Sequence, residues 1–261
     1  MKFYHFPLRK SIESTYAYLS ELVDREPLPE ATVLNASYQM AGRGQGSNSW
    51  YSSPGANLLP SVFFGHLGLP LENYWRISEI TALAVWETVA YFTQAELLDL
   101  RIKWPNDIMY KGHKVAGILI GNRLLSGEID STVIGVGINV NETAFPDTIP
   151  PAHSLYTITQ KRFDLDEVLN FFLDRLGTWR EQILHSVVME QVHKEYNKLL
   201  YQRGICAPYR ETKTSFCFDA VIEEVNSSGL LLLCRESSTV TPTYLSCRVG
   251  DIEYIRPQIK S

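Results

Sequence analysis

The chain has 261 residues, room for one large domain, or one domain and a small satellite, at roughly 100–200 residues each. Its 24 Lys and Arg against 29 Asp and Glu leave a net charge of −5 with no basic block, which argues against nucleic-acid binding driven by charge. No apolar run approaches the roughly 18 residues that span a bilayer, and Met1 to Pro7 has neither the apolar stretch nor the cleavage site of a signal peptide.

In chain order, Ser11 to Leu22 is a helix candidate and Ala31 to Met40 a strand candidate. The stretch Gly42-Arg43-Gly44-Gln45-Gly46-Ser47-Asn48-Ser49 is too poor in apolar residues to pack and predicts an exposed loop. Asn57 to Phe64 suits a buried strand. After Pro70 a helical pattern runs from about Leu71 to Phe92, carried by Trp75, Ile80, Leu83, Val85, Trp86 and Val89. Arg101 to Trp104 is a short strand. Ile108 to Tyr110 and Lys114 to Ile120 form a hairpin about Lys111-Gly112. Ser126-Gly127 is a second turn, and Thr132 to Val140 is a central strand whose Gly135 and Gly137 let another group approach closely. Asp164 and Glu167 cap a helical region that breaks near His185 and ends about Gln202. From Gly204 onward short strands follow one another: Phe216 to Val225, Gly229 to Cys234, Thr243 to Arg248 and Ile252 to Arg256. This places a boundary near residue 203 and divides the chain into domains 1–203 and 204–261.

Cys206, Cys217, Cys234 and Cys247 lack zinc-type spacing and are expected to be buried, reduced thiols of a cytosolic protein. The six histidines form no ligand pair, so no structural metal is expected.

Five stretches carry candidate chemistry. Gly42-Arg43-Gly44 can point backbone N–H groups and one guanidinium at an anion, or it is a flexible surface loop. It is neither a Walker loop nor a dinucleotide fingerprint. Lys103-Trp104-Pro105-Asn106-Asp107 is a strand end closed by a rigid turn, which also presents an amide and two charges. Lys114 before Ala116 and Gly117 is a solvated strand end or a point charge for a carboxylate or phosphate. The glycines of Gly135-Val136-Gly137-Ile138-Asn139 allow tight sheet packing or a bound ligand. Glu13-Ser14-Thr15 can be a helix cap.

In combination and order these motifs closely resemble the biotin–protein ligase family, the biotin–[acetyl-CoA-carboxylase] ligases, over Ser14 to Asn141. The stretch Phe145 to Leu155 resembles the family's loop after the Gly-Ile-Asn strand. The resemblance implies an α+β fold: a class II synthetase-like mixed sheet with flanking helices, plus a small C-terminal SH3-like β-barrel. It implies a cytoplasmic ligase that uses ATP, biotin and Mg²⁺, with a biotin carboxyl carrier protein of acetyl-CoA carboxylase or a related carboxylase as partner, and it leans towards a homodimer. A DNA partner is not expected, because only 13 residues precede Ser14 and the net charge is negative, and a membrane partner is not expected, because no apolar run is long enough to span one. Ser14, Thr15 and Gln39 match the residues that bind the ureido ring, with Gly42, Gly44 and Gly117 around the same ligand. Arg43 matches the loop arginine and Lys114 the lysine at the activated carboxyl, the two catalytic positions. Arg43, Lys103, Asn106 and Asn139 fall on the ATP side, and Asp107 is a candidate Mg²⁺ contact. This chain departs from the family pattern at Tyr16, where Asn is usual after Ser-Thr. It departs again at Gln45, where the loop often has a second Arg, and Gly46 sits one place early. The glycine-rich loop suits a lid that orders over the ligand. The competing expectation is a lipoate or octanoate ligase of related fold.

Overall fold

The protein was analysed as a computed structural model, in which residues 1–96, 98–146, 151–235 and 242–255 are described. The elements in order are β1 (Tyr4–His5), α1 (Thr15–Arg25), β2 (Thr32–Leu34), β3 (Ser61–Phe64), β4 (Leu69–Pro70), α2 (Trp75–Thr93), β5 (Leu100–Lys103), β6 (Asp107–Tyr110), β7 (His113–Leu125) and β8 (Glu128–Ile138). They continue with α3 (Leu155–Thr159), α4 (Leu165–Gln182), α5 (Ser186–Lys198), β9 (Cys206–Glu211), β10 (Cys217–Val225), β11 (Leu231–Arg235), β12 (Thr243–Cys247) and β13 (Ile252–Tyr254).

The first eight strands form one mixed sheet in the order β1-β2-β3-β8-β7-β6-β5, with β4 on the far end of β8. Only the β1–β2 pair is parallel. Long β7 and β8 sit at the centre because their side chains are apolar on both faces. Alternate residues serve the two faces. Val62, Phe64 and Ile134 belong to the main core against α2, α4 and α5, whereas Phe63 and Val133 pack with Leu19 of α1. The result is a three-layer arrangement. α2 is buried nearly all round, through Trp75, Ile77, Ile80, Leu83, Val85, Val89 and Phe92, and so forms the centre of the main core. The short α1 covers only part of the opposite face and leaves β7 and β8 bare beside its N-terminus.

Most sequence expectations agree with these elements; the differences have local causes. The first helix starts at Thr15 because Ser14 is its N-cap, while Arg9 and Ile12 instead make bridges to Ala36 and Gln39. Those bridges also cut the expected strand from Ala31 to Met40 down to β2. Arg256, the end of the last expected strand, and residues 147–150 of the loop before α3 lie outside the described residues.

The C-terminal strands form one antiparallel sheet, β12-β11-β10-β9-β13, and among the described residues its ends do not pair to close a barrel. Its inner face is not a separate core: Ala207, Tyr209, Ala220, Ile222, Leu231 and Leu233 join the cluster built on α2. Trp104 Nε1 donates to Gly229 O at 3.1 Å and Tyr74 Oη to Ser228 O at 2.8 Å. Asn197 of α5 donates from Nδ2 to Val225 O at 3.0 Å and accepts from Val225 N–H at 2.7 Å. Gly229 has φ 75 and lies so close to the Trp75 ring that no Cβ fits, so the 226–229 turn needs glycine twice over. The cysteines are all free, as expected, but only Cys247 is buried; burial pushes its thiol up to about 11. Cys206 and Cys217 begin β9 and β10 on the outward face, which corrects the expectation of burial.

Candidate functional site

The bare strip of β7 and β8 is the floor of a cleft of about 100 Å³. Across the floor the register sets Gly117 opposite Gly137 and Leu119 opposite Gly135. One wall is the start of α1 with Gln39, and the roof is the 42–50 segment. Ser14, Thr15, Gln39, Arg43, Gly44, Asn106, Asp107, Lys114 and Gly117, all singled out from the sequence, line this one cleft.

At one end, Ser14 Oγ accepts the Ala17 N–H at 3.3 Å as a helix cap, so the cap and the candidate site residue are the same group. Thr15 N–H donates to Gln39 Oε1 at 2.7 Å, and Thr15 Oγ1 lies 3.0 Å from the same oxygen and 2.9 Å from Leu59 O. Ser61 Oγ donates to Thr15 Oγ1 at 2.9 Å. This network pins Gln39 by its oxygen. Gln39 Nε2 sits 3.2 Å from where a Gly42 Cβ would be, so Gly42 backs the amide rather than lining the cleft.

At the other end, β6 and β7 slip register between Ile108 and Met109. This bulge brings Lys114 back towards Asp107. Lys114 Nζ lies 2.6 Å from Asp107 Oδ1, in a half-buried ion pair that aims the ammonium along the floor. Gly117 leaves no room for a side chain, with Lys114 Nζ 3.0 Å and Trp50 Cζ3 2.9 Å from its Cβ position. The Trp104–Pro105 bond is cis. Asn106 Nδ2 donates to Ile118 O at 2.8 Å and Asn106 O accepts from Ile118 N–H at 2.9 Å, fastening the turn to β7.

The glycine loop is a small hairpin, not an open strand of backbone. Gly44 N–H donates to Asn48 O and Trp50 N–H to Gly42 O, both at 2.8 Å, and Arg43 bridges to Ser49 with its side chain in solvent. Trp50 then folds over the floor. It fills the space above Gly137, its ring stands 5.3 Å from Lys114 Nζ, and its buried Nε1 has no partner. The sequence analysis gave Trp50 no role; the glycines at 117 and 137 were the available signal.

A second, wider cleft continues past Lys114 and Asp107 and is lined by Tyr51, Lys103, Asn139 and Phe145. Asn139 is buried, with Nδ2 donating to His153 O at 3.1 Å. Lys103 Nζ stands 4.8 Å from the ring centroid of Tyr254 in β13. His153 packs against His113 at 4.6 Å between centroids, and burial together with that neighbour lowers its pKa. Among the described residues no three His, Cys, Asp or Glu side chains converge on a metal position, and the carboxylate in the first cleft is ion-paired.

The arrangement is a narrow cleft with amide and hydroxyl groups at one end and a lysine at the other, opening into a wider basic chamber. It suits an acid with a polar head, held with its carboxylate at Lys114 beside a second, larger anion. The sequence profile of the Biotin/lipoate A/B protein ligase family matches residues 8–139. The chain is 33% identical over 172 residues to the bifunctional ligase/repressor BirA of Bacillus spizizenii, covering 65% of this chain and 51% of that protein. It is 30% identical over 122 residues to the biotin–[acetyl-CoA-carboxylase] ligase of Mycobacterium tuberculosis, covering 47% and 43%. The chain thus spans about half the length of the first of these relatives and less of the second. Its fold is that of the biotin protein ligase of Aquifex aeolicus in complex with biotin and ATP, with TM-score 0.76, 23% identity and coverage of 98% and 100%. With half its length matched by that profile, the chain belongs to the biotin/lipoate A/B protein ligase family.

Proposed function

We propose that the chain activates biotin with ATP to biotinyl-5′-AMP and then transfers biotin to one lysine of a carrier protein. Family membership supports this reading, as do the relatives named for biotin ligation and the fold shared with a protein seen with biotin and ATP. The carrier is a biotin carboxyl carrier protein of acetyl-CoA carboxylase or a related carboxylase. The protein is cytoplasmic, works as a homodimer, and divides into a catalytic domain, 1–203, and a C-terminal domain, 204–261. No described helix is long and apolar enough to cross a membrane.

The observation that carries the reading is the polarity at the head of the cleft. The internal network already occupies Thr15 and the Gln39 oxygen and leaves two donors for a ligand, Gln39 Nε2 and the Ser14 hydroxyl; a lipoyl or octanoyl chain offers these nothing and would bury them unpaired at a cost of about 1–3 kcal/mol each. A ureido ring supplies both acceptor and donors. The biotin carboxylate oxygen attacks the α-phosphorus, the bond to the β-phosphate breaks, and pyrophosphate leaves. The carrier lysine nitrogen then attacks the acyl carbon, loses its proton, and AMP departs. Neither step uses a nucleophile from the enzyme. The barrier in the first is the approach of two anions. Lys114 lowers it at the carboxylate, and Arg43 reaches the phosphate when the loop closes. Positioning alone accounts for roughly 7–11 kcal/mol of such a barrier. Lys103 and Asn139 serve the nucleotide, and Asn106 holds the turn that carries Asp107. Mg²⁺ bound with the nucleotide would spread charge over the phosphates, and Asp107, the carboxylate of the cleft, would be its contact from the protein.

The test is biotin-dependent exchange of labelled pyrophosphate into ATP, followed by mass spectrometry of a carrier domain. Exchange with biotin and a single modified lysine are expected. Exchange with lipoate or octanoate but not biotin overturns the reading.

A further inference from the structure

Tyr16 lies on the floor of the cleft where the family pattern usually has a small polar residue, and its surroundings are shaped around it. Its Cβ and Cδ2 stand 3.1 and 3.2 Å from the Cβ position of Gly135 on β8. Its hydroxyl reaches across to Gly121 on β7, where a Cβ would fall inside the van der Waals envelope of Oη. Glycine inside a central strand weakens the strand unless something needs the space, and at both 121 and 135 that something is the Tyr16 ring. Register places the ring in the cleft. Residues 117, 119 and 121 of β7 face the same way as 137, 135 and 133 of β8. Trp50 occupies the 117/137 end beside Lys114, and Tyr16 occupies the 121/135 end. Tyr16 is backed by Leu19, Phe63 and Val133, so it cannot retreat.

We propose that Tyr16 is a specificity-determining residue: with Trp50 it bounds the floor of the cleft at both ends and so limits the size of the acid's ring system. The inference rests on the biotin reading above, and it concerns the far end of the site, away from the reacting atoms. On that reading the bicyclic ureido head lies between the two rings, and an acid enlarged on the bicycle by an added alkyl group meets the Tyr16 ring. A pocket of this kind discriminates a methylene by roughly 10- to 200-fold.

The test compares kcat/KM in pyrophosphate exchange for biotin and for biotin N-alkylated on the ureido ring, in wild type, Tyr16→Ala, Gly121→Ala and Gly121→Ala with Tyr16→Phe. Tyr16→Ala should raise the analogue-to-biotin ratio at least tenfold. Gly121→Ala, which drives a methyl into Oη, should raise the KM for biotin at least tenfold. Adding Tyr16→Phe should recover most of that loss, because the next ring atom, Cζ, lies at an ordinary 3.4 Å. An unchanged ratio in Tyr16→Ala, or a Gly121→Ala defect that Tyr16→Phe does not relieve, overturns the proposal. Wild-type enzyme that ignores biotin overturns the functional reading instead. Thermal denaturation of each variant separates misfolding from altered selection.

Discussion

Lys114 and Asp107 are 2.6 Å apart in a half-buried site, and that proximity defines what each does alone. Lys114→Ala removes the positive charge at the carboxylate and leaves Asp107 facing it with no counter-ion. Loss of such a charge-assisted contact at a reacting centre costs about 2–4 kcal/mol, or roughly 30- to 1000-fold in rate. Adenylate formation by Lys114→Ala, followed by pyrophosphate release, should fall within that range while the melting temperature changes little. A variant within threefold of wild type would reduce Lys114 to an ordinary strand-end lysine. Gln39 behaves differently, because its oxygen is already held by Thr15; what it offers a ligand is the amide nitrogen.

The contact between α2 and α5 contains a charged pair inside the core. Glu79 is 3% exposed and accepts from His193 Nδ1 at 2.5 Å. Burial raises the carboxyl's pKa, and the Glu79 hydrogen bond raises the imidazole's. Both shifts have the same sign, so the folded pair binds its proton more tightly than the unfolded chain. The resulting stability is fully present below the unfolded histidine value of 6.5 and is lost as pH rises through the folded value. His153 is shifted the other way and therefore matters below 6.5, outside this window. The melting temperature should fall as pH rises above 6.5, and His193→Gln should flatten that slope; parallel curves would refute it. This pair was not legible in the sequence, because residues 114 positions apart meet only through helix packing. What was legible had a local cause. The Lys111-Gly112 turn, with φ of 47 and 80, and the Asp164 cap, whose Oδ1 accepts from Asp166 N–H at 2.8 Å, are written in adjacent residues. The candidate site residues came instead from the order of the motifs: Ser14 and Thr15 start a helix and Lys114 starts a strand, but Gln39, Arg43 and Gly44 lie between β2 and β3 and Gly117 lies inside β7. The course of Trp50 and Tyr16 was not legible, because the glycines that receive them lie on strands far away in the chain.

At the scale of the molecule, the C-terminal sheet is tied to both the core and the wider second cleft. Asn197→Ala strands the N–H and C=O of Val225, buried groups whose loss of partners costs about 1–3 kcal/mol each. It should lower stability measurably in urea titration and leave a single transition, because the apolar cluster is continuous across the junction. Two resolved transitions would show independent domains. Tyr254→Leu removes the ring beside Lys103. Its expected signature in steady-state kinetics is a several-fold higher KM for ATP with the KM for biotin unchanged; equal changes in both would make Tyr254 a packing residue only. The shared core also has a consequence for synthesis. A ribosome delivers Trp104 and Asn197 well before the residues at 225–229 that satisfy them. The first layer therefore stays incompletely packed until β10 and the turn after it leave the exit tunnel, so completion of the core is tied to the arrival of residues 225–229.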